Sequence, residues 1–533
     1  MADVLLAHSY YLRLDPKQSA KMRPYPPLNT LYAASVLRDQ GIDVALFDAM
    51  LARGESDFAV SLRRQRPAVV LLYEDNFNFL SKMCLSRMRQ AALTMVGMAL
   101  AAGCRVAVAG ADVTDHADVY LAAGAHACLL GEGEHSMSDV VHRWLGPDPD
   151  QSLGDIAGVA SMRGGQVVDG GHRQIERHPD VFGRPARDLV DIDAYRAAWT
   201  SRHGRFSLNM VSTRGCPYSC NWCAKPIWGQ RYSMRSAADV AAELVALKRD
   251  HAPDHIWFAD DIFGLRSDWL AEFATTVDEC GGQVPFTMQS RCDLMNDQAV
   301  DALALAGCEE VWLGAESGSQ RILDAMGKGI TVDQIWSARR RLGERGIRAC
   351  FFIQFGYPGE TWDDIEQTVG LVAELLPDNI GVSVSYPLPG TAFHEMVELD
   401  LADQGNWADS GDLAMIFAGT YPTEIYRELH RGLHDDLDLR RRLAGLSRAQ
   451  HPLLPDVSLE RQTVRVGERW SELRAREAGA RNPNPTRLRI PVASFPSCPL
   501  PLAALRLRHG SGPPRPPSTA SPRRMTDRRA TTT

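Results

Sequence analysis

Three cysteines in one short loop constrain this chain more than any other feature of its sequence. Cys216, Cys220 and Cys223 are separated by steps of four and three residues. An apolar run before them predicts a buried strand, and Gly215 and Pro217 then end regular structure. The thiols therefore lie on a loop at the C-terminal end of a strand. Thiolates hold iron-sulfur clusters or zinc, which normally take four ligands, so one ligand position remains open.

A zinc site is the second interpretation of these cysteines. Its fourth ligand would come from elsewhere in the chain, from His203, Cys280 or Cys292. A cluster with an open iron and a closed zinc site need the same three thiols, so the rest of the sequence has to decide between them.

The composition is that of a globular chain with two or three domains. The 533 residues are 45% hydrophobic and carry a formal net charge of −8. The folded part contains no basic block, which predicts neither a nucleic-acid partner nor an anionic membrane surface. No run approaches about 18 apolar residues, and the start does not resemble a signal peptide. Because the 11 cysteines are an odd number with three clustered, we expect a reducing, cytoplasmic location.

The first 146 residues alternate short apolar runs with helical patterns. Strands are predicted at residues 4–7, 44–47, 69–73, 106–109 and 127–130, with helices at 28–40 and 80–102. Such alternation predicts a doubly wound, Rossmann-like parallel sheet of the α/β class. Ligands bind such sheets at the C-terminal ends of the strands. The loops after residues 7, 73, 109 and 130 are therefore the candidate ligand loops.

A second α/β region repeats a strand-helix unit six times. Its strands are predicted at residues 206–213, 255–260, 285–290, 310–315, 349–356 and 380–386, with helices such as 236–249 and 362–375. Repeated parallel units predict a half-open or complete barrel, with functional groups in the loops at the strand C-terminal ends. Polar side chains do follow these strands. The cysteine loop follows the first of them.

The remaining residues complete the predicted domain organisation. Residues 147–200 are predicted to be a linker with short strands, between a first domain at 1–146 and the barrel at 201–394. Residues 395–478 are predicted to be helical, and their aromatic residues either cap the barrel mouth or pack in the core. Residues 479–533 are rich in Pro, Arg, Ser and Thr and cannot bury a core, so we expect them to be disordered.

The cysteine loop resembles the mark of the radical S-adenosylmethionine (SAM) superfamily, Cys-x3-Cys-x2-Cys with an aromatic residue before the last cysteine. Cys216, Cys220, Trp222 and Cys223 match it. The resemblance implies that the cysteines hold three irons of a 4Fe-4S cluster, while the fourth iron chelates the amino and carboxylate groups of SAM. Because the likeness continues through all six strand-helix units of a partial barrel, it favours the cluster over zinc.

The same resemblance implies SAM contacts at the strand ends. Asp260 and Asp261 stand where the family contacts the SAM amino group. The implied contacts to the rest of SAM are Trp222, Gln289, Arg291, Glu316 and Ser317. The alternative is that Arg291 and Glu316 pair with each other, since a buried charge needs a partner. No catalytic residue is assigned.

The first domain resembles the cobalamin-binding domain that precedes many radical SAM barrels. The resemblance rests on the sequence at 26–32, which opens the first helix, and on Gly131-Glu132-Gly133-Glu134 at the end of the domain. The implied cobalamin contacts are Thr30, Glu74, Asp75, Asn76, Gly110, Ala111, Asp112, Gly131, Glu132 and Gly133. The alternative is a Rossmann-like domain without a ligand.

We do not expect a protein side chain to be the lower axial ligand of cobalt. The Asp-x-His-x-x-Gly motif, with which some cobalamin domains supply a histidine, is absent from the sequence. Of the five histidines in the first domain, only His8 directly follows a strand. We therefore predict cobalamin with its own base displaced and no protein nitrogen on cobalt, which favours the low-valent metal.

Together the two regions resemble the cobalamin-dependent radical SAM methyltransferases. The resemblance implies a 5'-deoxyadenosyl radical that takes hydrogen from an unactivated carbon, and methylcobalamin that delivers the methyl group. The implied partners are a small molecule, such as a specialised-metabolite intermediate, and an external low-potential electron donor of the flavodoxin or ferredoxin type. One alternative is an oxidative cyclase of the magnesium-protoporphyrin ester type, which transfers no methyl group. Another is a sensor that binds cobalamin or an iron-sulfur cluster without catalysis.

Overall fold

The computed structural model describes residues 2–83, 85–223, 227–228, 231–402, 405–445 and 459–486. By their contacts, these residues belong to one compact unit. Residues 479–486 of the tail predicted to be disordered are ordered here, because the N–H of Asn482 donates to the carbonyl of Thr420 at 2.9 Å. From residue 487 onward the tail lies outside the described residues. The predicted domain boundaries stay predictions.

A seven-stranded sheet organises the first part of the chain. Its strands are β1 Val4–Ala7, β2 Val44–Phe47, β3 Val69–Tyr73, β4 Arg105–Ala109, β5 Ala127–Leu129, β6 Val159–Arg163 and β7 Gln166–Asp169. They lie in the order β2-β1-β3-β4-β5-β6-β7, with the first five parallel and the last two antiparallel. The chain order reverses between β1 and β3, and ligands of doubly wound sheets bind at such a point.

Helices cover this sheet. They are α1 Pro16–Lys21, α2 Leu28–Asp39, α3 Glu55–Gln65, α4 Phe79–Lys82, α5 Ser86–Ala101, α6 Ala111–Asp115, α7 Ala117–Ala122, α8 Glu134–Leu145 and α9 Ile192–His203. Side chains alternate between two apolar clusters along the parallel strands: Leu5 and Val70 lie in one, Leu6 and Leu71 in the other. Burial on both faces explains why these strands read as continuous apolar runs.

A partial barrel follows. Its strands are β8 Ser207–Met210, β9 Thr213–Gly215, β10 Tyr232–Met234, β11 His255–Phe258, β12 Phe286–Ser290, β13 Cys308–Glu316, β14 Arg348–Phe355 and β15 Asn379–Val384. Six of them form one parallel sheet in chain order, β8-β11-β12-β13-β14-β15. The six predicted strand-helix units are thereby confirmed. The other two, β9 and β10, form an antiparallel pair on either side of the cysteine loop.

Helices pack outside this sheet and continue to the end of the described chain. They are α10 Ala237–His251, α11 Ser267–Glu279, α12 Asp297–Ala306, α13 Gln320–Ala325, α14 Val332–Glu344, α15 Trp362–Leu375, α16 Ala392–Val397, α17 Thr423–Leu443 and α18 Leu459–Ala480. Short 3-10 helices span Leu12–Leu14, Pro179–Phe182, Arg187–Leu189, Cys292–Leu294 and Glu398–Asp400. None of the helices in the described residues has the length and apolar run needed to cross a bilayer.

The C-terminal aromatic residues serve as core. Trp407, Tyr421 and Tyr426 belong to the large cluster that fills the half-barrel, and Phe417 packs in a smaller one. Core packing is therefore their role in this structure.

Three elements differ from their predicted form. The predicted helix 80–102 is two helices, α4 and α5, because the chain turns after Lys82. The predicted strand 206–213 is divided into β8 and β9, since the backbone at Ser212 turns to bind Asp260. The predicted linker supplies β6 and β7, which extend the first sheet.

Candidate functional site

The cysteine loop begins at Gly215, where only glycine fits. Gly215 has a φ of +77° and pairs with Tyr232 of β10. A Cβ at this position would collide with the backbone oxygen of Arg231. The left-handed backbone and the close approach both exclude a side chain. Gly215 therefore fixes the direction in which the chain leaves β9 towards Cys216.

Asn221 fixes the middle of the loop. Its backbone N–H donates to the carbonyl of Met326 at 3.1 Å. Its side-chain nitrogen lies 2.8 Å from both the carbonyl of Ala325 and the hydroxyl of Tyr357. Its own carbonyl accepts from the N–H of Phe393 at 2.9 Å. Because these partners come from three separate segments, the loop is held by the barrel rather than by its own sequence.

The three cysteines are half-buried. Nη1 of Arg291 lies 3.9 Å from Sγ of Cys220, and its guanidinium stacks 3.7 Å from the ring centroid of Tyr218. Arg291 therefore places a positive charge beside one of the three sulfurs. The described residues include no group of three His, Cys, Asp or Glu placed around one metal ion. A cluster does not need such a group, because each cysteine binds a different iron.

Two of the side chains considered as zinc ligands are held elsewhere. Nε2 of His203 lies 3.0 Å from the carbonyl oxygens of Lys21 and Met22. The thiol of Cys280 lies 3.6 Å from the carbonyl of Val277, at the end of α11. The third, Cys292, is buried, and burial raises the pKa of its thiol to about 12. A neutral thiol is a poor metal ligand.

Asp260 lies at the end of β11 and binds the turn between β8 and β9. Its carboxylate accepts from the N–H of Ser212 at 2.8 Å and from the hydroxyl of Thr213 at 2.7 Å. The side-chain nitrogen of Gln289 donates to the Asp260 carbonyl at 2.6 Å. Burial raises the pKa of Asp260 to about 6 against these hydrogen bonds. In this structure Asp260 and Gln289 therefore position the chain that enters the cysteine loop.

Asp261 connects the half-barrel to the first sheet. Its carboxylate pairs with Lys82 at the end of α4. The ammonium group of Lys82 also lies 5.0 Å from the ring centroid of Trp228, which stacks on Phe77 of the loop after β3. The two candidate ligand regions thus meet at this pair.

Glu316 pairs with Lys328 and not with Arg291. Nζ of Lys328 lies 2.7 Å from Oε1 of Glu316, and both residues are buried. Arg291 instead pairs with Asp293 at 2.9 Å. The suggested Arg291–Glu316 pair is therefore wrong, because each side chain has a nearer partner. Glu316 also has a φ of +61°, which is strained for a residue with a side chain and is characteristic of functional sites.

Lys328 is a site residue that the sequence analysis missed. It is buried between Glu316 and the cysteine loop, with Nζ 5.8 Å from the ring centroid of Trp222. Its signal in the sequence is its rarity, because arginine supplies most of the basic residues of this chain. Of the rare lysines, Lys82 and Lys328 both lie in the site.

The last two expected SAM contacts have different surroundings. The hydroxyl of Ser317 lies 3.1 Å from that of Thr368 and accepts from the N–H of Ser319. This hydroxyl therefore already has hydrogen-bond partners within the protein. The indole nitrogen of Trp222 is buried and has no hydrogen-bond partner among the residues that the structure describes. A buried donor without a partner costs about 1–3 kcal/mol, which a bound ligand could offset.

Unpartnered polar atoms also gather at the switch point of the first sheet. Among the described residues, the buried atoms without a hydrogen-bond partner here are Oγ of Ser9, Oδ1 of Asn29, Oδ1 of Asn76 and Oγ of Ser81. These residues lie after β1, at the start of α2 and in the segment after β3. Native proteins leave few buried polar atoms unpaired, so such a group at one sheet edge indicates a ligand site.

Other residues expected at this edge hold its loops together. Glu74 accepts from the N–H of Ser9 with both oxygens, at 3.0 and 3.1 Å, although burial raises its pKa. Asp75 accepts from the N–H of Asn29 at 3.1 Å, and the hydroxyl of Thr30 donates to the Tyr73 carbonyl at 2.6 Å. These bonds bring the loops after β1 and β3 to the start of α2.

The loop after β4 packs directly on the loop after β3. A Cβ at Gly110 would lie 2.9 Å from Cβ of Glu74, so a side chain there would separate the two loops. Ala111 is buried at the start of α6. Asp112 accepts from Nε of Arg89 at 2.7 Å and from the hydroxyl of Tyr120 at 2.6 Å. The carboxylate of Asp112 therefore already has hydrogen-bond partners within the protein.

The loop after β5 reaches the cysteine loop. Glu132 and Glu134 lie 2.7 and 2.8 Å from Nη1 of Arg214, which is two residues before Cys216. The N–H of Gly131 donates to the hydroxyl of Thr114 at 3.1 Å. Gly133 packs against the end of β3, since a Cβ there would lie 2.8 Å from the Tyr73 hydroxyl. The structure therefore brings the expected residues of all four candidate loops to one edge.

His8 is bound within the protein. Its Nε2 lies 2.9 Å from Oδ1 of Asp48 and 3.0 Å from the backbone nitrogen of Ala49. Burial lowers the pKa of His8, but the carboxylates of Asp48, Glu74 and Asp75 together outweigh burial, so the pKa is raised. Oδ2 of Asp48 accepts from the hydroxyl of Tyr195 at 2.6 Å. This network gives His8 a structural role.

Comparison with known proteins agrees with this fold. Residues 210–372 match the model of the Radical SAM superfamily. An uncharacterized methyltransferase of Pyrococcus horikoshii is 29% identical over 270 residues, which cover 50% of this chain and 57% of that protein. The anaerobic magnesium-protoporphyrin IX monomethyl ester cyclase of Cereibacter sphaeroides is 24% identical over 282 residues, which cover 52% of this chain and 44% of that protein. The matched stretch thus spans about half the length of these curated relatives.

A solved structure shares the fold over nearly the whole described chain. It is the radical S-adenosylmethionine methyltransferase TsrM of Kitasatospora setae, with cobalamin and a [4Fe-4S] cluster bound. The TM-score is 0.65 at 18% sequence identity, and the match covers 90% of this chain and 98% of that one. Residues 210–372 of this chain therefore match the Radical SAM superfamily, and the half-barrel together with the doubly wound sheet shares the fold of the TsrM structure.

Proposed function

We propose that this protein is a cobalamin-dependent radical SAM methyltransferase that acts on a small molecule. One observation carries the proposal: a radical SAM half-barrel and a doubly wound sheet with unpartnered polar atoms at its switch point meet at a shared edge. The methyltransferase TsrM combines the same fold with bound cobalamin and a [4Fe-4S] cluster, and the Pyrococcus relative is also named a methyltransferase.

In this proposal Cys216, Cys220 and Cys223 hold a 4Fe-4S cluster with one iron open to SAM. The thiols lie on one anchored loop, and Arg291 supplies positive charge beside Cys220. When bound, the cluster supplies the electron for reductive cleavage of SAM, and cobalamin supplies the methyl carrier. The protein holds these groups in place and excludes water.

The side chains around the loop fit a zwitterionic ligand. Glu316 and Lys328 offer a carboxylate and an ammonium group, and the indole nitrogen of Trp222 is a donor without a partner. SAM carries an amino group and a carboxylate, so it can form charge-assisted hydrogen bonds with both signs. Asp260 and Gln289 act one step further away, by holding the strand that leads into the loop.

The edge of the first sheet fits cobalamin, whose corrin ring is surrounded by amides. Ser9, Asn29 and Asn76 present buried side-chain oxygens without partners there. Hydrogen bonds to the amides would remove the cost of leaving them unpaired. Because His8 is bound to Asp48, we propose that no protein nitrogen binds cobalt. Reduction needs an external low-potential donor of the flavodoxin or ferredoxin type.

Product analysis tests this function and separates it from its alternatives. The reconstituted protein is incubated anaerobically with SAM, hydroxocobalamin, a reductant and candidate small molecules. S-adenosylhomocysteine together with 5'-deoxyadenosine supports methyl transfer to an unactivated carbon. Deoxyadenosine alone indicates radical chemistry without methylation, as for the cyclase that is among the relatives. Neither product, with both cofactors bound, would contradict an enzyme and favour a sensor.

A further inference from the structure

A buried arginine joins the cysteine loop to the first sheet. Nη1 of Arg214 lies 2.7 Å from Glu132 and 2.8 Å from Glu134. Both glutamates belong to the segment after β5, which is expected to contact cobalamin. Arg214 lies on β9 and precedes Cys216 by two residues. One guanidinium therefore touches the loop expected to hold cobalamin and belongs to the strand that leads to the first cysteine.

The surroundings of this guanidinium fix its position. Its carbon lies 4.2 Å from the ring centroid of Phe182 and 5.6 Å from the centroids of Tyr32 and Phe77. All three side chains of the ion cluster are buried, with Arg214 3% exposed and Glu132 7% exposed. A planar cation between rings and two carboxylates has few alternative positions.

The backbone on each side is also constrained. Oε2 of Glu132 accepts from the N–H of Glu176 at 2.6 Å, so that glutamate is held from two directions. On the other side, β9 pairs with β10, and Gly215 fits only without a side chain. Consecutive Cα atoms are about 3.8 Å apart, so Arg214 is within about 8 Å of Cys216 along the chain. A shift of the loop after β5 would therefore also move Cys216, because the chain between Arg214 and Cys216 is short.

We propose that Arg214 is a positioning residue that sets the separation between the cobalamin loop at 131–134 and the cysteine loop. The inference rests on the proposed function, because it concerns the alignment of the two cofactors. Methyl transfer and hydrogen abstraction act on one substrate carbon, so cobalt and cluster must keep a fixed arrangement. Hydrogen bonds from one guanidinium to two carboxylates fix both the distance and the direction between the loops, whereas apolar packing alone is not directional.

Electron paramagnetic resonance of the protein with both cofactors tests this proposal. The cob(II)alamin signal is recorded with the cluster oxidised and reduced, so that the spin-spin splitting reports the cobalt-cluster separation. In the wild type we expect one well-defined splitting. In Arg214→Met we expect a broadened or lost splitting at unchanged iron, sulfide and cobalamin content. Arg187→Met is the matched control, because Arg187 is also buried and its partners among the described residues are Glu243, at 3.6 Å, and the carbonyl of Asn209.

Two further variants keep the proposal testable if Arg214→Met does not fold. The triple variant Arg214→Met, Glu132→Gln, Glu134→Gln leaves no unpaired buried charge, and such neutral replacements are often tolerated. Glu132→Gln alone keeps Glu134 as a charged partner and should broaden the splitting less. A splitting identical to the wild type in these variants would overturn the inference and leave the proposed function standing. A wild type that binds neither cofactor would overturn the proposed function first.

Discussion

At the residue scale, the polar side chains of the half-barrel differ in whether their hydrogen bonds are already made within the protein. Asp260 and Ser317 have partners in the protein and hold loops. Glu316 and Lys328 pair with each other and lie beside the cysteine loop. The strained backbone of Glu316 adds a reason to assign it to a ligand, since strain of this kind is kept where function requires it.

Loss of any one cluster cysteine should abolish SAM cleavage. Replacing Cys216, Cys220 or Cys223 with Ala removes the only protein ligand of one iron, so we expect most of the iron and sulfide to be lost. Iron and sulfide analysis after anaerobic reconstitution measures this. Control substitutions at Cys280, Cys292 and Cys308 should leave the cluster intact. Full cluster content in a variant of the three loop cysteines would contradict the assignment.

Removal of the Glu316 carboxylate should weaken SAM binding without loss of cluster iron. Glu316→Gly and Glu316→Ala remove the same group, but only Ala has to adopt the left-handed φ of +61°. We therefore expect similar SAM affinities for the two variants and an unfolding free energy lower by about 1 kcal/mol in the Ala variant. Isothermal titration and thermal unfolding measure the two effects. Unchanged SAM affinity with reduced stability would make the pair with Lys328 structural.

Substitution of His8 should not change the coordination of cobalt. Because Nε2 of His8 is 2.9 Å from Asp48, His8→Ala removes a structural contact and not a cobalt ligand. The electron paramagnetic resonance spectrum of cob(II)alamin should lack nitrogen superhyperfine triplets in both wild type and variant. Triplets that disappear in His8→Ala would show that histidine is the lower ligand.

At the element scale, the sequence predicted strands better than the segments that connect them. Apolar runs such as Val69–Tyr73 and the amphipathic pattern of Trp362–Leu375 carry their own signal, and both elements have the predicted bounds. The division of the predicted strand 206–213 depends on Asp260, some fifty residues away, and a local pattern cannot report it. Pairing of Glu316 with Lys328 likewise depends on the turn after α13.

Contacts between loops decide the charge pairings that the sequence did not predict. The spacing of the cysteines was enough to identify their loop, and strand ends were enough to locate Glu316 and Arg291. Which partner each charge takes is decided by folding, because several opposite charges lie within reach at the barrel mouth. The role of Lys82 could not be predicted from the sequence, since its partner Asp261 lies far along the chain, in the loop after β11.

The loop after β14 should give a pH-dependent contribution to stability. Burial raises the pKa of Glu360 there to about 8, above its unfolded value near 4.5. Between these values the folded state keeps a proton that the unfolded state has lost. Stability therefore falls as the pH rises through this window, by at most about 1.4 kcal/mol per pH unit.

Glu360→Gln isolates this contribution because an amide does not titrate. We expect the unfolding free energy of the wild type, relative to that of the variant, to fall between about pH 5 and pH 8. Denaturant unfolding at several pH values measures the difference. Parallel curves for the two proteins would contradict a buried, protonated Glu360.

At the scale of the whole molecule, the first sheet and the half-barrel are tied by buried charges. Arg214 binds Glu132 and Glu134, and Lys82 binds Asp261. Both contacts lie where the C-terminal ends of the two sheets meet. A charge left unpaired in the interior is costly, so these contacts favour one relative placement of the two sheets. Such an arrangement suits a protein that has to align two cofactors on one substrate.

The central claim is that one chain binds an iron-sulfur cluster and cobalamin at this shared edge. Its most direct test is the metal and cofactor content of the purified wild-type protein after anaerobic reconstitution with iron, sulfide and hydroxocobalamin. We predict one full 4Fe-4S cluster and one cobalamin per chain, with cluster lost and cobalamin kept in Cys220→Ala. Stoichiometric zinc with no reconstitutable iron or sulfide would contradict the account.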